Sequence, residues 1–328
     1  MRRLLGLAIA AVFVLTGCSQ PTADPTTLTI YSGRSEELVA PLFEQFTAET
    51  GITVNARYGD SAELAAQILE EGDNRPADVF FSQDAGALGA LSVAGVFRAL
   101  DADVTDRVAP QFRADDNTWV GVSGRARVFV YNPGRVKQLP SSVLDLESAQ
   151  WQGRIGIAPS NASFQAFVTG LRLVEGDEAA RTFLTAMKQN AVLFEKNSQI
   201  LEAVENGEID LGLVNHYYWF ERAAELGEAA MTSKFAWFKD GDAGNLINVA
   251  GIGVISENPA AATFVDWLLG KSAQQFFVDK TAEYALIDGI AQKQGLPALN
   301  SIAGPSVNLA ELADLQTTLT FISEAGLV

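Results

Sequence analysis

Apolar positions along this chain switch repeatedly between a period of two and a period near 3.6. "LTIYSG" reads as a strand, and "SEELVAPLFEQFTAETG" reads as an amphipathic helix, with Ser35 as a cap, Leu38, Val39, Leu42, Phe43 and Phe46 on one face, and Gly51 as the stop. The scheme repeats with a strand at "ITVNARYG", a helix at "SAELAAQILEEG" capped by Ser61, and an apolar strand at "ADVFF" ending in "SQD". Such alternation predicts an α/β domain with a parallel sheet. "WVGVSGRARVFVYNP" is a longer strand, and a crossover out of this domain is expected near Gly121 to Arg125. A second α/β domain follows, with a strand at "GRIGIAPS", helices from "NASFQAFVTGLRLV" and "EAARTFLTAMKQN", and a helix and strand pair at "NSQILEAVENGE" and "IDLGLVN". The apolar run Leu246 to Ser256 is expected to return to the first domain, and the tail "LAELADLQTTLTFISEAGL" is helical.

The amino terminus departs from this pattern. Residues 1–17 carry two arginines, an apolar stretch too short for a stable membrane anchor, and then small residues, as an export signal does. They run into "LTGC", the pattern of a bacterial lipobox, so Cys18 is expected to carry lipid after cleavage and anchor the protein to the membrane. Residues 18–27 form a flexible Pro/Ser/Thr-rich tether. Cys18 is the only cysteine, which excludes an intramolecular disulfide framework and cysteine-based metal sites. Without Arg2 and Arg3, 21 basic residues face 40 acidic ones, a net charge of −19 that repels nucleic acid. The remaining chain of about 310 residues suits two domains.

In open parallel sheets, ligands sit at the carboxyl ends of the strands. The loops expected there are Tyr31–Ser35, Ser82–Asp84, Ser160–Ser163 and Asn215–Tyr218, two from each domain, so a site between the domains is expected. "LVNHYYWFER" stands out among them. Strand spacing ends at Asn215 and helical spacing begins after His216, which places Tyr217 and Tyr218 in one helical turn. Paired phenol oxygens suit a hard trivalent cation. An aromatic core edge is the alternative for the same residues.

"AVENGEIDLGLVNHYYW", "GDNRPADVFFSQDAGAL", "VSGRARVFVYNP" and "TIYSGRSEELVAPLFEQFTAETGI" together resemble the ferric-iron-binding proteins that serve bacterial ABC importers. The resemblance implies a two-lobed periplasmic-binding-protein fold of type II, with a first lobe at 28–122 plus about 246–300 and a second at 123–245 plus about 301–328. It implies that Tyr217 and Tyr218 bind Fe(III). Ser35 and Gln83 stand at the family's histidine and glutamate positions, which leaves Tyr31 as the nearest replacement donor or a packed strand tyrosine. A synergistic anion (carbonate, phosphate or citrate) is implied at the helix start of Asn161, Ala162 and Ser163, with Asn197 and Asn215 at further anion positions. Arg125 and Arg222 either offset charge around the phenolates or form ordinary ion pairs, and His216 is a turn residue or a support for the pair in preference to a metal ligand.

Partners implied are the membrane permease and ATPase of an importer, with the protein a monomer outside the cytoplasmic membrane or in the periplasm. A binding protein of the same fold for an anion such as a phosphonate is the alternative. A secreted hydrolase is disfavoured, because no nucleophile elbow, His-based triad or metalloprotease motif is present.

Overall fold

A computed structural model describes residues 24–328 of the chain. The expected export signal and Cys18 lie outside the described residues. The first lobe opens with β1 (Thr27–Ser32), α1 (Glu36–Thr50), β2 (Thr53–Tyr58), α2 (Ser61–Glu71), β3 (Val79–Ser82) and α3 (Ala85–Val93). Helix α1 buries Val39, Leu42, Phe43 and Phe46 of the stripe that its spacing predicts, leaves Leu38 partly buried, and stops at Gly51, where φ is 77°. Ser35 holds the N-cap position of α1 but its side chain makes no capping bond, contrary to expectation. The cap of α2 is Asp60, which accepts from Ala62 N, while the Ser61 hydroxyl turns to accept from Gln83 N at 2.9 Å.

A short helix α4 (Ala102–Thr105) leads to β4, which spans the 13 residues Trp119–Tyr131. The second lobe adds β5 (Ile155–Ile157), α5 (Ala162–Glu175), α6 (Asp177–Asn190), β6 (Ala191–Leu193), α7 (Asn197–Glu205), β7 (Leu211–Asn215), α8 (Tyr217–Leu226) and β8 (Lys234–Ala236). The chain then returns through β9 (Ile247–Val254), α9 (Pro259–Leu268), α10 (Lys271–Thr281) and β10 (Tyr284–Ala285), and ends in α11 (Leu315–Glu324). Strands run in the order β2-β1-β3-β9-β4-β7-β5-β6, with β8 and β10 also on β4. β1 is parallel to both neighbours, as is β5 to its own, whereas β4 and β9 run antiparallel to each other.

β4 belongs to both sheets. Up to Ala126 it pairs with β9, and from Arg127 onward with β7, so the handover lies just beyond the expected Gly121 to Arg125. Its side chains alternate across the second sheet, with Val128 and Val130 in the core beneath α7 and Phe129 in the core with Phe164, Phe167 and Phe183. The carboxyl-terminal boundary also moves. Leu309 and Leu312 pack in the first-lobe core, and only the later Phe321, Ile322 and Leu327 reach the second, so the chain changes lobe after residue 301.

Candidate functional site

At the end of the wholly buried strand β7, His216 takes helical angles (φ −56°, ψ −37°) and Tyr217 opens α8. Leaving the strand here rotates successive side chains by about 100° instead of 180°. The rings of Tyr217 and Tyr218 therefore lie beside each other, with centroids 4.4 Å apart and planes tilted by 33°. Tyr217 is 8% exposed. Burial, reinforced by Tyr218 and Glu283 against the pull of Arg125, raises the Tyr217 phenol well above its ordinary range.

His216 is fully buried, and both ring nitrogens are used. Nε2 donates to Ala282 O at 2.8 Å, and Nδ1 accepts from Ala126 N at 3.2 Å, a tautomer assigned by these two partners. Its backbone N also donates to Ala126 O at 3.1 Å. Thus His216 grips the β4 peptide where that strand changes sheets. Burial lowers its pKa to about 4, so the ring is neutral near pH 7.

Three buried guanidinium groups surround the pair. Arg34 forms a fork with Glu283 (2.9 and 2.8 Å), whose carboxylate also accepts from Ser123 and Thr281 at 3.1 Å each. Burial opposes both charges, yet their mutual attraction prevails, raising the pKa of Arg34 and lowering that of Glu283. Arg127 donates to Leu213 O at 3.1 Å and Asn215 Oδ1 at 3.4 Å, and burial lowers its pKa to about 10. Arg125, two residues earlier on the same face of β4, is also buried, and the same desolvation lowers its pKa. Sequence reasoning found Arg125 and missed the other two. Strand periodicity would have added Arg127, and the loop "YSGR" contains Arg34, but nothing local marks Glu283 as its partner.

The polar residues at the start of α5 meet as expected, though largely by bonding one another. Asn161 Oδ1 accepts from Ser163 N (3.0 Å) and Asn197 Nδ2 (3.2 Å), and Asn215 Nδ2 donates to Ser163 Oγ (3.0 Å). Ala162 is the first residue of that helix. Two expected residues lie elsewhere. The Tyr31 hydroxyl donates to Glu71 at 2.9 Å, at the carboxyl-terminal end of α2. Arg222 pairs with Glu225 at 2.8 Å, with its side chain 33% exposed, one helical turn along the surface of α8. Among the described residues, no group of three or more His, Cys, Asp or Glu could hold a metal ion.

Two α/β lobes that share crossover strands are the architecture of a ligand-capturing binding protein. The chain belongs to the bacterial extracellular solute-binding proteins, whose family profile matches residues 74–301. It is 35% identical over 330 residues to the Fe(3+)-binding periplasmic protein of Serratia marcescens, covering 99% of this chain and 97% of that one. The crystal structure of iron-bound HitA from Pseudomonas aeruginosa superposes with a TM-score of 0.87 at 32% identity, covering 92% of this chain and 100% of the other. The Trichodesmium IdiA (FutA) structure in complex with iron and citrate ligands has a TM-score of 0.79 at 26% identity, over 92% of this chain and 100% of that one. The protein is a transport component, not an enzyme.

Proposed function

We propose that this chain captures ferric iron between its lobes through the oxygens of Tyr217 and Tyr218, together with a synergistic anion, and delivers it to the permease and ATPase of an ABC importer. The adjacent tyrosine pair at the start of α8, Tyr217 buried and Tyr218 half-buried, carries the reading. A phenol held neutral by burial gives up its proton only to a strong Lewis acid, and ferric iron is one. Two phenolates leave the ion with one positive charge, and Arg125 and Arg127 add two more without a paired carboxylate. The site therefore calls for a polyvalent oxyanion such as carbonate, phosphate or citrate. Asn161, Ala162, Ser163, Asn197 and Asn215 supply one polar wall for it. Relatives that bind iron, one of them with citrate, support the assignment. The lobe boundaries and the lipid anchor at Cys18 belong to the same proposal, with the protein a monomer on the outer face of the cytoplasmic membrane or in the periplasm.

The cluster of buried guanidinium groups also favours a second reading, in which the cargo is an organic or inorganic anion such as a phosphonate and the tyrosines contact it through their hydroxyls. Ferric titration of the mature protein separates the two. Iron bound by phenolates gives a broad visible band, and Tyr217→Phe or Tyr218→Phe is expected to shift or bleach it and weaken binding. Full colour and stoichiometry in both single variants would overturn the tyrosine assignment, and a colourless protein that binds phosphonate would establish the second reading.

A further inference from the structure

The strands that join the lobes have a second concave side. Successive side chains of β4 point to opposite faces, so Gly124 and Arg125 look in different directions. Arg125 belongs to the group around Tyr217, whereas a Cβ at Gly124 would lie 3.1 Å from Leu286 Cδ2 and 3.6 Å from Leu299 Cδ2. β9 divides in the same way. Asn248 accepts from Ala85 N at the start of α3, and Ile247 before it lies with Leu286 and Leu299. These three line a cavity of about 930 Å³, back to back with the tyrosine pair across the β4–β9 ribbon. Its outer wall is drawn from residues 286–308, which hold one short turn of helix, Leu299–Ser301. Irregular stretches of that length within a compact fold usually serve a function, and the volume lies near the upper end of small-molecule sites, about 300–1,000 Å³.

The apolar part of the lining is mostly aliphatic. Ile247, Ile287, Leu299 and Ile302 are half-buried, and Phe112 is the one aromatic residue. Half-buried apolar side chains around a concave space leave surface that a ligand gains by covering. Two charged residues line the cavity. Asp288 is exposed to water, whereas Lys293 is half-buried and, among the described residues, forms no ion pair. A lysine stem lying along apolar surface presents its ammonium at the edge of that surface. We propose that this cavity binds an amphiphile, an unbranched aliphatic chain ending in a carboxylate, with the chain over Ile247, Leu286 and Leu299 and the carboxylate on Lys293. A flexible chain suits walls of branched aliphatic side chains that offer little aromatic face for stacking. The site is independent of the ferric-iron reading, because none of its residues belongs to the tyrosine site.

Calorimetric titration of the mature, iron-free protein with decanoate, decanol and decyltrimethylammonium, in separate runs below the micelle concentration, tests the site. Wild type is expected to bind a single decanoate saturably, decanol about tenfold more weakly, and the cation more weakly still. The chain is strongly acidic, so non-specific uptake would favour the cation instead. Lys293→Gln is expected to lower decanoate affinity by about tenfold, the scale of one charged contact, and to leave decanol unchanged. Ile302→Trp fills the cavity from its half-buried wall and is expected to weaken both ligands. Should that variant fail to fold, Lys293→Gln decides alone, since it removes a charge at the rim and leaves the core untouched. Wild-type decanoate affinity in Lys293→Gln, or in a folded Ile302→Trp, would overturn the proposal. So would binding of the cation as tight as that of decanoate, binding of decanoate without saturation, or none by wild type.

Discussion

His216 is tied to backbone on both sides of its ring, and a proton on Nδ1 would turn its acceptor for Ala126 N into a second donor. Glu283 and Arg125 face it, one favouring and one opposing that charge, and burial outweighs both. The folded pKa of about 4 lies below the ordinary 6.5, so the unfolded chain takes up the proton first. This contribution to stability is complete above pH 6.5 and is lost as pH falls toward 4. Its size is about 3 kcal/mol across that window. Urea unfolding of the iron-free protein at pH 7 and pH 4.5 should therefore find His216→Gln destabilised by about 1–2 kcal/mol at the higher pH, with the gap closing and reversing at the lower, where the wild type alone bears the cost of the buried imidazole. A gap that does not depend on pH would mean that the imidazole titrates normally. The sequence placed this residue at the strand-to-helix turn, because apolar spacing changes there. Its partners Ala126 and Ala282 were illegible, since nothing local distinguishes either alanine.

At the scale of elements, α7 rests on the second sheet through Ile200, and two strand glycines make room for it. A Cβ at Gly212 would lie 2.1 Å from Ile200 Cγ2, and one at Gly156 would lie 2.8 Å from the same atom. Ile is stiff at χ1 and cannot simply rotate away. Gly212→Ala is expected to cost about 1–3 kcal/mol by overpacking, and the loss should shrink in an Ile200→Ala background. Equal losses in both backgrounds, measured by denaturant unfolding, would show that the glycine serves another need. Most elements were readable because each carries its own period, as α1, α7 and β7 do. What escaped was set by distant partners. β4 gains its last rungs from β7, about eighty residues later, and Leu309 and Leu312 choose the first-lobe core although the local pattern suits either lobe. Capping was misjudged for a related reason: Ser61 is drawn to the Gln83 amide, leaving Asp60 to cap α2.

For the whole molecule, the shared strands have a consequence in time. β3 and the first half of β4 both need β9 between them, and the second-lobe core needs Phe321, Ile322 and Leu327 from the end of the chain. Neither lobe is a continuous stretch of sequence. A fragment of residues 24–245 holds eight of the ten strands and lacks β9 and β10. It is expected to give no sigmoidal urea transition by circular dichroism, and a cooperative transition would indicate a lobe that folds alone. Contacts of such long sequence separation make folding slow, because loop entropy is spent before the pairings that repay it can form. During synthesis, the amino-terminal strands must wait for β9 to emerge, and the second lobe must wait for almost the last residue. The arrangement that lets two lobes share a hinge thereby keeps the growing chain unfolded for most of its synthesis.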